Sequence, residues 1–481
     1  MVRQAKRRQE KVRFPVCFKR GSRLTMKNRA QRLRQLSPGM ILMIYYVGAI
    51  FLGACALSLP VSAVGEPLKF IDALFTATSA QCVTGLAVVD TGTRLSTFGQ
   101  LVVLLLIQTG GLGITTFSVY LFFYLRIGVG TRGRWIIHDT LLHTPVDSLR
   151  NLVRGIILMS LCIEGIGALL LSFSFVPRMG WGPGLYSAVF HSVSAFCNAG
   201  FSLFADNLVG FRNDPLVNLT IMLLIVLGGI GFLVLRELKD LLHNRQQRRR
   251  RLSLHSKMVL LTSAILILAG ALVIGILESS ASLRNASAGE LIWASLFQSV
   301  TSRTAGFNTI DLSLFEVPTL FLLMFLMFVG ASPGSCGGGI KTTSLAIFIA
   351  IMLSRLQGNA HTNLFRRTIS DEVASKTLAL VMLAMLFMVL ATFALLAVQL
   401  QGVGLAESRS GFMDYTFEAI SAFATVGLSV GATAKLVPLG KLIVIILMFV
   451  GRVGLLTVAF AFIKRSGKIP VQYGEESLMI G

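Results

Sequence analysis

Long apolar runs alternate with short mixed segments along the chain, and the order of the pieces recurs four times. A long apolar run is followed by a short amphipathic segment, a glycine-bearing loop and a second long apolar run. The pieces fall near 40–62, 68–80, 81–92 and 97–126, and again near 152–176, 183–196, 197–210 and 215–243. They return near 257–280, 288–301, 302–313 and 318–355, and near 375–402, 411–423, 424–436 and 438–465. A helix needs about 20 residues to cross a hydrocarbon core ~30 Å thick. The short segments 71–80, 186–196, 291–301 and 415–423 have roughly half that length, which predicts helices that enter the membrane part-way and return. A non-helical return at that depth is tolerated only where protein buries it or it lines water. Four of them predict one shared pathway on a pseudo-fourfold axis. Amphipathic segments lying on the outer surface are the alternative. The recurrence of the same glycine ending disfavours it.

Composition makes this a membrane protein. Of 481 residues, 54% are hydrophobic and 14% charged, where a soluble globular domain carries about 25% charged residues. The net charge of +22 is sorted by position. Of 44 Lys and Arg, 13 precede residue 35, five lie in 126–154, eight in 236–257, four in 355–376 and three in 464–468. Each patch sits at a span end reached after an even number of crossings, as the positive-inside rule requires. The fold class expected is an all-α polytopic membrane protein with eight full transmembrane helices and both termini cytoplasmic. Its segments are a basic arm at 1–38, four units at 39–130, 150–245, 255–356 and 373–466, and a tail at 467–481. The run Arg248 to Arg251 suits lipid headgroups better than nucleic acid. The six cysteines show no metal-ligand spacing and predict no disulfide. The first apolar run begins near Met40 and is too long for a cleaved signal peptide.

The loops carry the chemistry. They read Cys82-Val83-Thr84-Gly85-Leu86, Cys197-Asn198-Ala199-Gly200-Phe201, Arg303-Thr304-Ala305-Gly306-Phe307 and Thr425-Val426-Gly427-Leu428, with glycines 115, 106 and 121 residues apart. A dehydrating cation needs carbonyls aimed at the axis. Glycine reaches the necessary backbone conformations without steric cost. Half-helix C-termini add partial negative charge below such a ring. No acidic residue lies within the four signatures, which argues against carboxylate coordination of a divalent cation. The second apolar runs carry Gly110-Gly111, Gly228-Gly229, Gly330 and Gly451; in the first two these predict close helix packing, and the third and fourth depart from that pattern. Residues 330–341 of the third read Gly-Ala-Ser-Pro-Gly-Ser-Cys-Gly-Gly-Gly-Ile-Lys and cannot continue a helix. That span is broken mid-membrane, as cavity-lining, moving elements are. The stretch nearly matches a phosphate loop, but Ile340 separates the last glycine from Lys341 and the strand–loop–helix context is missing. Arg452 lies deep in an apolar run, where a charge needs a cavity or a polar partner. Loop carbonyls are one choice and Glu164 the other. Arg303, at the end of the third half-helix, suits neutralisation of that helix's dipole.

From about residue 40 to the end, these signatures resemble the Trk/Ktr/HKT superfamily of potassium transporters, closest to the KtrB-type membrane subunit. The resemblance implies a potassium filter at Val83, Thr84, Gly85, Asn198, Ala199, Gly200, Thr304, Ala305, Gly306, Thr425, Val426 and Gly427. Glycine in all four loops implies potassium preference, where serine in the first is associated with sodium. The resemblance also implies an intramembrane gating loop at Gly330, Ser332, Gly334, Ser335, Gly337, Gly338, Gly339 and Lys341, with Arg452 beside it. It implies a homodimer in a bacterial-type plasma membrane. A separate cytoplasmic Rossmann-type (RCK/KTN) regulatory ring is implied, with sodium as activator or coupling ion. The same fold conducting sodium or mixed cations is the alternative. An enzyme or energised pump is disfavoured: the chain has no phosphate loop, phosphorylatable aspartate motif, metal cluster or soluble domain, and no cofactor is expected in it.

Overall fold

The computed structural model describes residues 38–128, 149–243, 252–359, 361–455 and 457–458. The expected arm at 1–38, all but its last residue, and the tail at 467–481 lie outside the described residues.

The described chain is helical, with one small exception. A long helix, a shorter helix, a loop and another helix follow one another in the order α1 (Pro38–Leu57), α2 (Phe70–Gln81) and α3 (Thr97–Gly128). The order returns in α4 (Leu149–Met179), α5 (Trp181–Phe196) and α6 (Pro215–Ile230), then in α8 (Leu254–Glu278), α9 (Ala288–Thr301) and α10 (Val317–Phe328). It returns again in α12 (Asp371–Gln399), α13 (Leu405–Ala424) and α14 (Pro438–Val453). Two further helices, α7 (Phe232–His243) and α11 (Thr342–Leu356), continue from α6 and from the loop after α10. The exception to the all-α expectation is an antiparallel hairpin, β1 (Thr362–Leu364) and β2 (Arg367–Ile369), with Thr362 opposite Ile369. The alternation there is too short to be told from a loop in the sequence.

Among the described residues, four helices are long and apolar enough to cross a membrane: Gly39–Leu57, Val153–Met179, Leu254–Glu278 and Asp371–Gln399. A fifth candidate is the pair Pro215–Ile230 and Phe232–Leu242, bent by 105°. The bend divides the run expected over 215–243. Its cause is Gly231, held at φ +94°, in the left-handed region that disfavours side chains. The fourth second-run stops likewise at Gly454, φ +91°.

Local sequence explains where helices begin. Asp214 caps α6, accepting from the amides of Leu216 and Val217, with Pro215 in the first turn. Ser287 and Glu290 form a reciprocal capping box on α9. The long helices turn apolar side chains such as Leu52, Leu268 and Phe393 outward, as in a protein whose solvent is hydrocarbon. The short helices lie inside, with Thr76 to Gln81 of α2 and Phe417 to Ala424 of α13 almost wholly buried. Glycines set how closely the two sets pack. A methyl group built on Gly110, Gly228 or Gly451 would lie 2.0, 1.8 or 1.7 Å from the carbonyl of Gln81, Phe196 or Phe423. Three second-run helices thus rest directly on the C-terminal ends of the short helices. At the seam between the chain's two ends, Lys441 of α14 pairs at 2.5 Å with Asp72 in the first turn of α2.

Candidate functional site

The C-terminal ends of α2, α5, α9 and α13 bring the four glycine loops together. Gly85, Gly200, Gly306 and Gly427 take φ of +95°, +70°, +79° and +90°. Two residues earlier in each loop, Val83, Asn198, Thr304 and Thr425 are also left-handed, at φ 56°, 59°, 70° and 51°. Such values are uncommon outside glycine, and here they recur at one position in four unlike sequences. Alternation of hand along a short segment turns successive carbonyls toward one side.

The loops close on one another in order. A methyl group built on Gly85 would lie 2.5 Å from the Ala199 carbonyl oxygen, and one on Gly200 would lie 2.8 Å from that of Ala305. On Gly306 it would lie 2.3 Å from the Val426 oxygen, and on Gly427 2.0 Å from the Thr84 oxygen, which returns to the first loop. The residues just before the glycines therefore supply a closed cycle of four carbonyls. A side chain at any of the four glycines would strike it.

Each loop is tied to its own half-helix. The amides of Thr84, Ala199, Ala305 and Val426 donate to the carbonyls of Ser79, Ser194, Thr301 and Ser421 at 2.7–3.0 Å. The hydroxyls of the same four residues finish the turn. Ser79 and Ser421 accept from the amides of Gly85 and Gly427, both at 3.1 Å. Ser194 and Thr301 donate to the carbonyls of Phe201 and Phe307 at 2.8 and 2.6 Å. These hydroxyls escape sequence reading because serine and threonine are common in such helices.

The left-handed residues send their side chains away from the cycle, onto glycines of the second runs. Hypothetical methyl groups on Gly110, Gly228, Gly337 and Gly338 would lie 3.1, 2.9, 2.1 and 2.3 Å from side-chain atoms of Val83, Asn198, Thr304 and Thr425 respectively. With its amide oriented to donate to Ala195 and Ile225, Asn198 accepts from the Thr304 hydroxyl at 3.2 Å. In the third and fourth positions helix glycine is replaced by the loop 330–341, which therefore lies directly against the glycine loops.

That loop is held from several sides. Val329 bridges to Ile340, and Gly330 faces the Gly338 carbonyl so closely that a methyl group would lie 2.2 Å from it. The amides of Ser332 and Cys336 donate to the Gly229 and Gly228 carbonyls, each at 3.1 Å. The Gly334 carbonyl accepts from the Phe232 amide at the α6–α7 bend, 3.1 Å. Ser335 bonds back to the Ser332 carbonyl at 2.6 Å, and Ser332 meets Thr342 at 3.0 Å. Gly339 turns at φ +66°. Lys341 folds back, its Nζ 2.7 Å from the Gly337 carbonyl and 3.5 Å from that of Gly338. The flanks are helices, not a strand and a helix, so the near match to a phosphate loop has no phosphate-loop geometry.

Arg452 is buried against this loop. Its guanidinium donates to the Cys336 carbonyl, to the Gly110 carbonyl at 2.8 Å and to the Tyr46 hydroxyl at 3.4 Å. Tyr46 donates in turn to the Gly110 carbonyl at 2.9 Å. Of the two candidate partners of Arg452, the loop carbonyl is the one it meets. Glu164 accepts instead from Gln108 Nε2 at 3.2 and 3.0 Å. Arg303 sits at the end of α9 and reaches Ser263 of α8 at 3.0 Å.

The chain matches the family model for TrkH cation transport proteins over residues 6–470. It is 40% identical over 440 residues to Ktr system potassium uptake protein B of Bacillus subtilis, covering 91% of this chain and 96% of the relative. It is 37% identical to the protein of that name in Vibrio alginolyticus, covering 92% and 94% of the two chains. The potassium/sodium uptake protein NtpJ of Enterococcus hirae is 35% identical, covering 95% and 99%. Among solved structures, the potassium transporter TrkH of Vibrio parahaemolyticus shares the fold, with a TM-score of 0.70 at 17% identity over 89% of this chain and 86% of that one. These matches are to transporters, not enzymes, and the apolar helices agree with a multi-pass membrane protein. The chain belongs to the TrkH family of cation transport proteins.

Proposed function

We propose that this chain is the ion-translocating subunit of a potassium uptake system in the plasma membrane. The observation that carries the reading is the closed cycle of four glycines and four carbonyls at Thr84, Ala199, Ala305 and Val426. Backbone carbonyls replace the water that a potassium ion sheds. The left-handed residues Val83, Asn198, Thr304 and Thr425 add their own carbonyls from the same turns. The C-terminal ends of four half-helices favour a cation beneath them. The loop 330–341 is the gate below this filter, and Arg452 fixes it across the pathway. The chain crosses the membrane eight times as four span–half-helix–span units, with both termini cytoplasmic. The positional sorting of Lys and Arg supports that topology. Its working form is a homodimer carrying a separate cytoplasmic nucleotide-binding ring, with sodium as an activating or coupling ion.

A second reading, a sodium or mixed-cation transporter of the same fold, draws on the relative named for both potassium and sodium. Uptake of potassium, rubidium and sodium into proteoliposomes, with and without a sodium gradient, decides between the two. The first reading expects potassium and rubidium to enter well ahead of sodium. Equal sodium flux overturns it. In the same assay Gly306→Ser admits sodium, because its Cβ falls on the Val426 carbonyl oxygen.

A further inference from the structure

The side chain of Thr425 does something that its place in a carbonyl filter does not require. Thr425 caps α13 in the left-handed conformation, at φ 51° and ψ 51°. This turns its hydroxyl out of the glycine cycle and toward the loop 330–341. There Oγ1 accepts a hydrogen bond from the Gly338 amide at 3.0 Å. Both residues are buried. The contact leaves no room for a side chain on Gly338, since a methyl group would lie 2.3 Å from Oγ1.

The other three left-handed residues offer no such bond to the loop. Val83 has no polar atom, Asn198 rests on the helix glycines Gly228 and Gly229, and the Thr304 hydroxyl is engaged with the Asn198 amide at 3.2 Å. Besides a thiol contact between Cys336 and Cys197, the other bonds that fix the loop from outside run through the Gly228 and Gly229 carbonyls, the Phe232 amide and Arg452. The Thr425–Gly338 bond is thus a direct side-chain hydrogen bond between a glycine loop and the gating loop.

We infer that Thr425 is a positioning residue for the gate: its hydroxyl latches Gly338 against the filter in the closed arrangement and must release it before an ion can pass. The inference rests on the proposed function, because it needs a filter and a gate to join. The Thr425 carbonyl belongs to the backbone of the filter, and the hydroxyl belongs to the closed gate.

The isosteric exchange Thr425→Val removes the hydroxyl and keeps the branched shape, whereas Thr425→Ser keeps the hydroxyl. Potassium uptake by the purified chain in proteoliposomes is expected to rise about fivefold in Thr425→Val, the factor that one net hydrogen bond supplies. Thr425→Ser, which keeps the hydroxyl, should raise uptake less than Thr425→Val does. Hydrogen exchange over a peptide spanning 336–340 should quicken in Thr425→Val alone. The decisive arm is the combination with Arg452→Ala, in which the loop is already freed and Thr425→Val should add little. A rise that multiplies fully in that background, a Thr425→Ser chain that rises as far as Thr425→Val, or unchanged exchange over 336–340 in Thr425→Val would overturn the latch. A wild-type chain without potassium-selective flux, or an Arg452→Ala chain without a rise, overturns the underlying filter or gate reading instead.

Discussion

The glycine loops and the loop 330–341 are both irregular, buried and dependent on glycine, yet they are held in opposite ways. Each glycine loop is fastened by its own half-helix, through a backbone bond and a hydroxyl from the same residue. The loop 330–341 borrows many of its bonds from elsewhere: two carbonyls of α6, the first amide of α7, the Thr425 hydroxyl and the Arg452 guanidinium. A self-fastened turn keeps its carbonyls in place when neighbours move. A segment held by several other elements changes position when any of them lets go. The first arrangement suits selection, which depends on fixed distances, and the second suits control, which depends on two arrangements of similar energy.

The strongest way to break this contrast is to disturb the cycle. Gly427→Ala puts a Cβ 2.0 Å from the Thr84 carbonyl oxygen at a φ of +90°. Left-handed backbone alone costs a non-glycine residue about 1–2 kcal/mol. The ratio of potassium to sodium uptake should collapse by roughly tenfold or more, given ~1.4 kcal/mol per tenfold. An unchanged ratio separates the cycle from selection. A smaller effect, on rate alone, is expected for Tyr46→Phe, which removes a partner of Arg452 and of the Gly110 carbonyl. Potassium uptake should rise about two- to fivefold, as for one net hydrogen bond, with no change of ion ratio. The smallest effect belongs outside both regions. Ser287→Ala removes the capping box of α9 and should cost about 1 kcal/mol of stability. It should show in thermal denaturation and leave the ion ratio unaltered. A shifted ratio there would tie selection to the outer ends of the half-helices.

What the sequence made legible follows from what glycine alone can do. Gly85, Gly200, Gly306 and Gly427 stood out because four unlike signatures kept one residue where left-handed backbone and close approach coincide. The interruption at 330–341 was legible because proline and five glycines exclude a helix. The bend at Gly231 was not, since Gly228-Gly229-Ile230-Gly231 also reads as a packing motif, and Gly228 does pack on the Phe196 carbonyl. Arg452 announced itself by its cost in an apolar run. Its companion Tyr46 did not, because a tyrosine in a span is ordinary until its hydroxyl is seen between Arg452 and Gly110. The bonds from Ser79, Ser194, Thr301 and Ser421 depend on which way common side chains face, which spacing does not specify.

The most direct test of selection and control as separate structures is a paired measurement on Arg452→Ala. Potassium and sodium uptake into proteoliposomes are read from the same preparation beside the wild-type chain. Loss of charge-assisted bonds worth about 1.5–3 kcal/mol should raise potassium uptake about tenfold or more while the potassium-to-sodium ratio stays at the wild-type value. Uptake that does not rise, or a ratio that falls as uptake rises, would contradict the assignment of control to the loop and of selection to the four glycines.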